Sequence, residues 1–168
     1  MLTPELTDLA ERIGILLKER KETIAIAEGS AGGLISASLL SVPGASAYYL
    51  GGTVIYTFAA NKALFEGAIE TPKGMRGATE VFAQYLARSA QVKIGSTWGV
   101  GEAGAAGPPN RYGDPSGHAW FAVAGPREAT RNLLTGLDDR VQNMVAFAAG
   151  ALTLLLETLQ TSEQANKR

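Results

Sequence analysis

Apolar positions along this chain alternate between two rhythms. Leu6, Leu9, Ala10, Ile13, Leu16 and Leu17 recur every three or four residues, the interval that lines one face of a helix. Thr3 and Pro4 precede them as a capping hydroxyl and a first-turn proline, so the spacing predicts a helix over Pro4–Arg20. Residues 23–27 (TIAIA) are apolar and rich in β-branched side chains, which predicts a buried strand. Glycines within 29–33 predict a turn, followed by a small-residue helix over Leu34–Leu40 that stops near Pro43 and Gly44.

Further along, 52–57 (GTVIYT) reads as a strand, 59–65 as a short helix and 71–77 as a loop. Val81, Phe82, Tyr85, Leu86 and Ala90 predict a helix over 78–93. Residues 96–101 are a candidate strand and 104–117 a long loop holding Pro108, Pro109 and Pro115. His118–Ala124 is a strand with which 129–135 pairs. A closing helix over 138–160 places Asp138 and Asp139 at its positive end. Residues 161–168 are a polar tail expected to fray. The order αβαβα and then ββα predicts an α/β fold: one three-layer α/β/α domain with a mixed β-sheet over residues 1–160.

Composition narrows the class. The 168 residues carry 15 Lys+Arg and 16 Asp+Glu, for a net charge of −1, with one His and no Cys. Disulfide scaffolds, thiolate sites and multi-histidine metal sites are thereby excluded, and no metal or other cofactor is expected. Balanced charge argues against a nucleic-acid footprint. The most apolar run, 144–156, is shorter than the roughly 20 residues of a spanning helix, and the first residues lack a signal-peptide pattern. A cytoplasmic protein outside the membrane is the expectation. The aromatic stretch Tyr48-Tyr49-Leu50 reads as interface or core, and a homo-oligomer is the expectation. No charged residue occurs from 29 to 61, so hydroxyls and backbone N–H groups supply that segment's polarity.

Four constellations in and beyond this run can carry chemistry. Glu28-Gly29-Ser30-Ala31-Gly32-Gly33 stands between a predicted strand and a helix, where backbone N–H groups can meet an anion. Ser30 is a helix cap, a hydroxyl donor or a nucleophile there. Ser46 lies in a small-residue loop leading to Tyr56, with Lys62 six residues on; a desolvated lysine can activate a serine, and a turn serine with a solvated lysine is the plainer alternative. Gly99-Val100-Gly101-Glu102-Ala103-Gly104 spells G-x-G-x-x-G, but prolines follow where a dinucleotide fingerprint must open a helix. Its glycines and Glu102 are instead expected to line a pocket from a second strand end. Lastly, His118 is a candidate pH-sensitive group, and Arg111 and Arg140 are candidate phosphate partners.

Taken in order, Ala27-Glu28-x-x-x-Gly32-Gly33, Val42-Pro43-Gly44-x-Ser46-Ala47, Gly52 to Tyr56, and Gly104-x-Ala106-Gly107-Pro108 resemble the CinA C-terminal domain family. The resemblance implies a three-layer domain and a nicotinamide mononucleotide amidohydrolase that releases ammonia by a serine nucleophile without a metal. It implies Ser46, Tyr56 and Lys62 as catalytic residues. Glu28, Gly29, Ser30, Ala31, Gly32, Gly33, Gly104, Gly107 and Arg140 would bind the small nucleotide substrate. The family loop A-E-S-C-T-G-G has Gly29 and Ser30 here at its Ser and Cys positions. In place of Y-S-N-x-x-K, Asn61 takes the lysine position and Lys62 falls one residue late. Leu50-Gly51 replaces the usual charged pair, and Arg140 alone remains of the arginines that open the last helix. These departures define an alternative: a catalytically altered ligand-binding or interaction protein on the same scaffold.

Overall fold

The computed structural model describes residues 2–166. Helices are α1 (Pro4–Arg20), α2 (Leu34–Leu40), α3 (Phe58–Phe65), α4 (Glu80–Ile94) and α5 (Arg140–Asn166). Strands are β1 (Ile24–Glu28), β2 (Tyr49–Val54), β3 (Trp98–Ala105), β4 (His118–Ala124) and β5 (Ala129–Leu134). They form one sheet in the order β2-β1-β3-β4-β5. β1 runs parallel to β2 and β3, and the β3–β4 and β4–β5 pairs are antiparallel, so the sheet is mixed.

Side-chain alternation along the strands divides the core between two faces. Ile24 and Ile26 of β1, with Trp98 and Val100 of β3, pack against α1, α2 and α5. Ala25, Ala27 and Ala103 point the other way, towards Phe82, Tyr85, Leu86 and Ala90 of α4. The result is the expected three-layer α/β/α arrangement. On the α4 side β3 presents Gly99 and Gly101, and a Cβ added there would fall 2.1 Å from the Ala87 carbonyl and 2.0 Å from that of Ala83. Two of the G-x-G-x-x-G glycines thus let a helix backbone rest on the strand.

Element ends follow local caps where these exist and pairing where they do not. The Thr3 hydroxyl accepts from Leu6 N–H at 3.3 Å, starting α1 at Pro4. α4 starts at Glu80 rather than 78, because Ala78 is left-handed (φ 55°) and Thr79 is the extended cap. β2 begins at Tyr49, three residues before the expected 52, since its pairing with β1 begins at Ile24 and Tyr49. β3 reaches Ala105, past the expected 101, because β4 pairs with it as far as Ala105 and His118.

α5 begins at Arg140, with the Asp139 carboxylate accepting from Gln142 N–H at 2.8 Å. It continues to Asn166 instead of ending at 160 in a frayed tail. No Gly or Pro interrupts it there, and Arg20 donates to the Leu159 carbonyl at 3.0 Å and to the Ser162 hydroxyl at 3.2 Å. The last two tail residues, 167 and 168, lie outside the described residues. By length and composition Arg140–Ser162 is apolar enough to cross a membrane, but Phe147, Ala148, Ala151, Leu152, Leu155 and Leu159 are fully buried in the core.

Candidate active site

The connection from β1 to β2 passes over one face of the sheet through α2, and that from β2 to β3 over the other through α3 and α4. Chain direction therefore diverges at the carboxyl ends of β1 and β3, the kind of switch point where open α/β sheets bind ligands. Glu28 ends β1, and Glu102 lies directly beside it in register on β3. Both are fully buried.

Neutral backbone donors hold these carboxylates. Glu28 accepts from the N–H groups of Gly33, Ile35 and Ser36 at 3.0, 3.0 and 2.9 Å, which caps α2 from its own strand. Glu102 Oε2 accepts from Gly29 and Ala31 N–H at 2.9 and 2.8 Å. Its other oxygen, Oε1, accepts the Ser30 hydroxyl at 2.6 Å. Burial pushes the Glu102 carboxyl up to about 7, with the Glu28 charge adding to the rise and the Ser30, Ala31 and Gly29 hydrogen bonds opposing it.

This arrangement corrects the expected anion cradle. The N–H groups of Gly29, Ala31 and Gly33 point at the protein's own carboxylates, and that of Gly32 at the Gly29 carbonyl, 3.2 Å away. Internal carboxylates occupy the place an incoming phosphate was expected to take.

Ser30 is 7% exposed and lines a recess of about 80 Å³ together with Gly104, Tyr56, Ala78 and Phe82. The recess adjoins a cleft of about 470 Å³ walled by Tyr56, Phe58, Phe82, Arg111 and Tyr112. Gly104 is needed at this junction: a Cβ on it would lie 2.8 Å from the Ser30 hydroxyl, the Ala119 methyl and the Phe147 ring.

Tyr56, Arg140 and Gly107 come together. Arg140 donates to the Tyr56 hydroxyl at 2.9 Å and, through its other terminal nitrogen, to the Gly107 carbonyl. Arg140 therefore ties the end of β2 to the loop after β3. Tyr56 itself remains 65% exposed on the cleft.

Ser46 and Lys62 are not brought to this place. Ser46 is exposed in the single 3-10 turn Ala45–Ala47 just ahead of β2. Ile24 N–H donates to the Tyr48 carbonyl at 2.8 Å, fixing that turn at the start of β1. At about 3.3 Å per residue, the length of β2 separates it from Tyr56 by roughly 17 Å. Lys62 is exposed on α3 and makes no ion pair among the described residues. Asn61, one position earlier, turns inward and donates to the Tyr85 hydroxyl at 3.5 Å. The one-residue displacement rotates the amine about 100° around the helix, away from the core.

The loop over 106–117 walls the cleft and brings Asn110, Tyr112 and Asp114, which the sequence did not single out, together with Arg111. Asp114 accepts two bonds from Arg76, at 2.5 and 3.3 Å, and one from Asn110 at 2.8 Å. The Arg76 hydrogen bond holds the Asp114 carboxyl below its usual range. The guanidinium groups of Arg76 and Arg111 each lie 5.0 Å from the centre of the Tyr112 ring. His118 Nδ1 stands 3.7 Å from Asp114, with Asn132 at 2.9 Å on its other nitrogen. Arg76 and Asp114 are 38 residues apart in the chain, and no local pattern links them.

Comparison with known proteins agrees with this architecture. The profile of the CinA C-terminal domain matches residues 6–159. A CinA-like protein of Salinibacter ruber is 38% identical over 151 residues, covering 88% of this chain and 36% of that protein. One from Anaeromyxobacter sp. is 35% identical over 145 residues, covering 84% of this chain and 36% of its own length. The chain thus spans about a third of the curated relatives it matches. Among solved structures, a competence/damage-inducible protein of Agrobacterium tumefaciens superposes with a TM-score of 0.85 at 23% identity, covering 94% of this chain and 98% of that one. A CinA superfamily protein of Klebsiella pneumoniae gives 0.84 at 23% identity, covering 93% and 98%. These structures share the fold, and the matches in sequence give the kinship: the chain belongs to the CinA C-terminal domain family.

Proposed function

We propose that this chain hydrolyses the amide of nicotinamide mononucleotide, or of a related pyridine nucleotide, to the acid and ammonia by serine chemistry. The observation that carries this reading is the cleft itself. It sets aromatic walls (Tyr56, Phe58, Phe82, Tyr112) and Arg111 beside a recess that Ser30 helps to line. A planar ring suits the walls, and an arginine without a carboxylate partner among the described residues suits a phosphate. A volume of about 470 Å³ lies within the range of small-molecule sites. Incubating the protein with nicotinamide mononucleotide and assaying ammonia and nicotinic acid mononucleotide tests the proposal. Turnover no greater than that of heat-denatured protein overturns it.

One observation favours a second reading, a ligand-binding protein without turnover: Ser46 and Lys62 lie apart, Ser46 at the opposite end of the sheet from Tyr56 and Lys62 out in solvent. Calorimetric binding of the nucleotide with no acid formed selects that reading.

A further inference from the structure

We propose that Ser30 and Glu102 are the nucleophile and general base of this cleft. The assignment rests on reading the cleft as a hydrolytic site, and it replaces a serine–lysine pair with a serine–carboxylate pair.

Three observations carry it. First, a serine becomes a nucleophile when a base contacts its hydroxyl, and Ser30 Oγ lies 2.6 Å from Glu102 Oε1. Second, the base is held in one orientation. Gly29 and Ala31 N–H both bind Oε2, leaving Oε1 to the hydroxyl. Third, Ser30 is not the helix cap. The N-cap of α2 is Gly33, which makes no side-chain cap bond; its own N–H and those of Ile35 and Ser36 go to Glu28, and that of Leu34 to the Ala31 carbonyl. The Ser30 hydroxyl therefore does no capping work, while Ser30 lines the recess beside Tyr56 and Phe82.

The reaction balances with these two groups and water. As Ser30 Oγ bonds to the amide carbon, its proton passes to the Glu102 carboxylate. The C–N bond then breaks, and the proton on Glu102 moves to the departing nitrogen, which leaves as ammonia. A water molecule adds to the acyl-serine, giving its proton to Glu102. The ester C–O bond breaks, and that proton returns to Ser30 as the acid is released. A carboxyl titrating near neutrality serves both as acceptor and as donor.

The test uses a fluorophosphonate probe on the full chain, with the labelled peptide identified by mass spectrometry. The expected result is an adduct on Ser30 in the unaltered protein, so no variant need fold for the first answer. Glu102→Gln, which preserves shape and can still accept from Gly29 and Ala31, should slow labelling by about 10²- to 10⁴-fold. Its circular dichroism spectrum should match the parent. An adduct on Ser46, no adduct on the folded protein, or labelling unchanged in Glu102→Gln overturns the pair. Adduct formation on Ser30 without turnover of nicotinamide mononucleotide upholds the pair and removes the proposed substrate. Turnover that persists in Ser30→Ala removes the pair and upholds the substrate.

Discussion

Glu28 and Glu102 occupy the same register on neighbouring parallel strands, both out of contact with solvent, and a single short turn supplies N–H donors to each. Two like charges placed side by side in a core cannot both ionise freely. Glu102 is pushed up to about 7, by burial first and with its neighbour's charge adding to the rise.

Stability should depend on pH through this residue. The folded chain holds the Glu102 proton more tightly than the unfolded chain, whose ordinary value is 4.5. Stability therefore falls as pH rises between about 4.5 and about 7 and is level above that, a loss on the order of 3 kcal/mol. Glu102→Gln removes this slope. Urea midpoints measured from pH 5 to 8 should show the variant gaining on the parent as pH rises. Parallel curves would overturn the expectation.

The same titration should appear in reactivity with the opposite sign. Ser30 activation requires ionised Glu102, so labelling by the phosphonate should rise through pH 7 and level above about 8. Among the described residues the charged group facing Glu102 is Glu28 of β1, and its contacts from the turn and from Ser30 are neutral. A profile flat from pH 5 to 9 would contradict this.

Gly104→Ala should damage both the fold and the site. The new methyl would meet Phe147, Ala119 and the Ser30 hydroxyl at 2.8 Å. An overpacked core site costs about 1–3 kcal/mol. Thermal melts should fall accordingly, and labelling of Ser30 should drop in the protein that remains folded.

Ser46→Ala and Lys62→Ala should leave turnover within about two-fold, as exposed positions away from special contacts usually do. A loss of 10²-fold in either would return catalysis to the serine–lysine reading. Arg111→Ala should instead raise KM for the nucleotide by about ten-fold or more while sparing the phosphate-free nucleoside, since it removes a charged hydrogen-bond donor. Equal effects on both substrates would deny Arg111 a phosphate-binding role.

Acid should loosen the loop over 106–117. Asp114 is held below its usual value of 3.8 by Arg76, so this contribution is present above that pH and lost as pH falls through the folded value. Asp114→Asn should cost about 1 kcal/mol, given solvent screening of the partly exposed Arg76. Hydrogen exchange at the Tyr112 and Asp114 amides, both held by the Asn110 side chain, should quicken by roughly five-fold.

Much of this was legible from the sequence where the determinants are local. Thr3, Pro4 and the leucine spacing define α1 to the residue, and Leu34–Leu40 and His118–Ala124 are read with equal fidelity. The end of β3 was not legible, because pairing with β4 sets it. That error left Gly104 in a loop. The bond from Ser30 to Glu102 crosses 72 residues, and only the sheet order brings those two together. Ser46 was misplaced for the opposite reason. Its local signal is genuine, a serine in a small-residue turn, but the turn lies ahead of β2 and Tyr56 lies just beyond that strand's far end.

The glycine-faced contact between α4 and β3 has a mechanical consequence. With no side chain between the two backbones at Gly99 and Gly101, helix and strand form one stiff plate. Phe82 on the helix and Glu102 on the strand are both anchored in it, so neither can yield to an incoming molecule without the other. The wall across the cleft, the segment bearing Arg111 and Tyr112, is held by the side-chain bonds of Arg76, Asn110 and Asp114, so a ligand meets a backbone-backed wall on one side and a side-chain-backed one on the other.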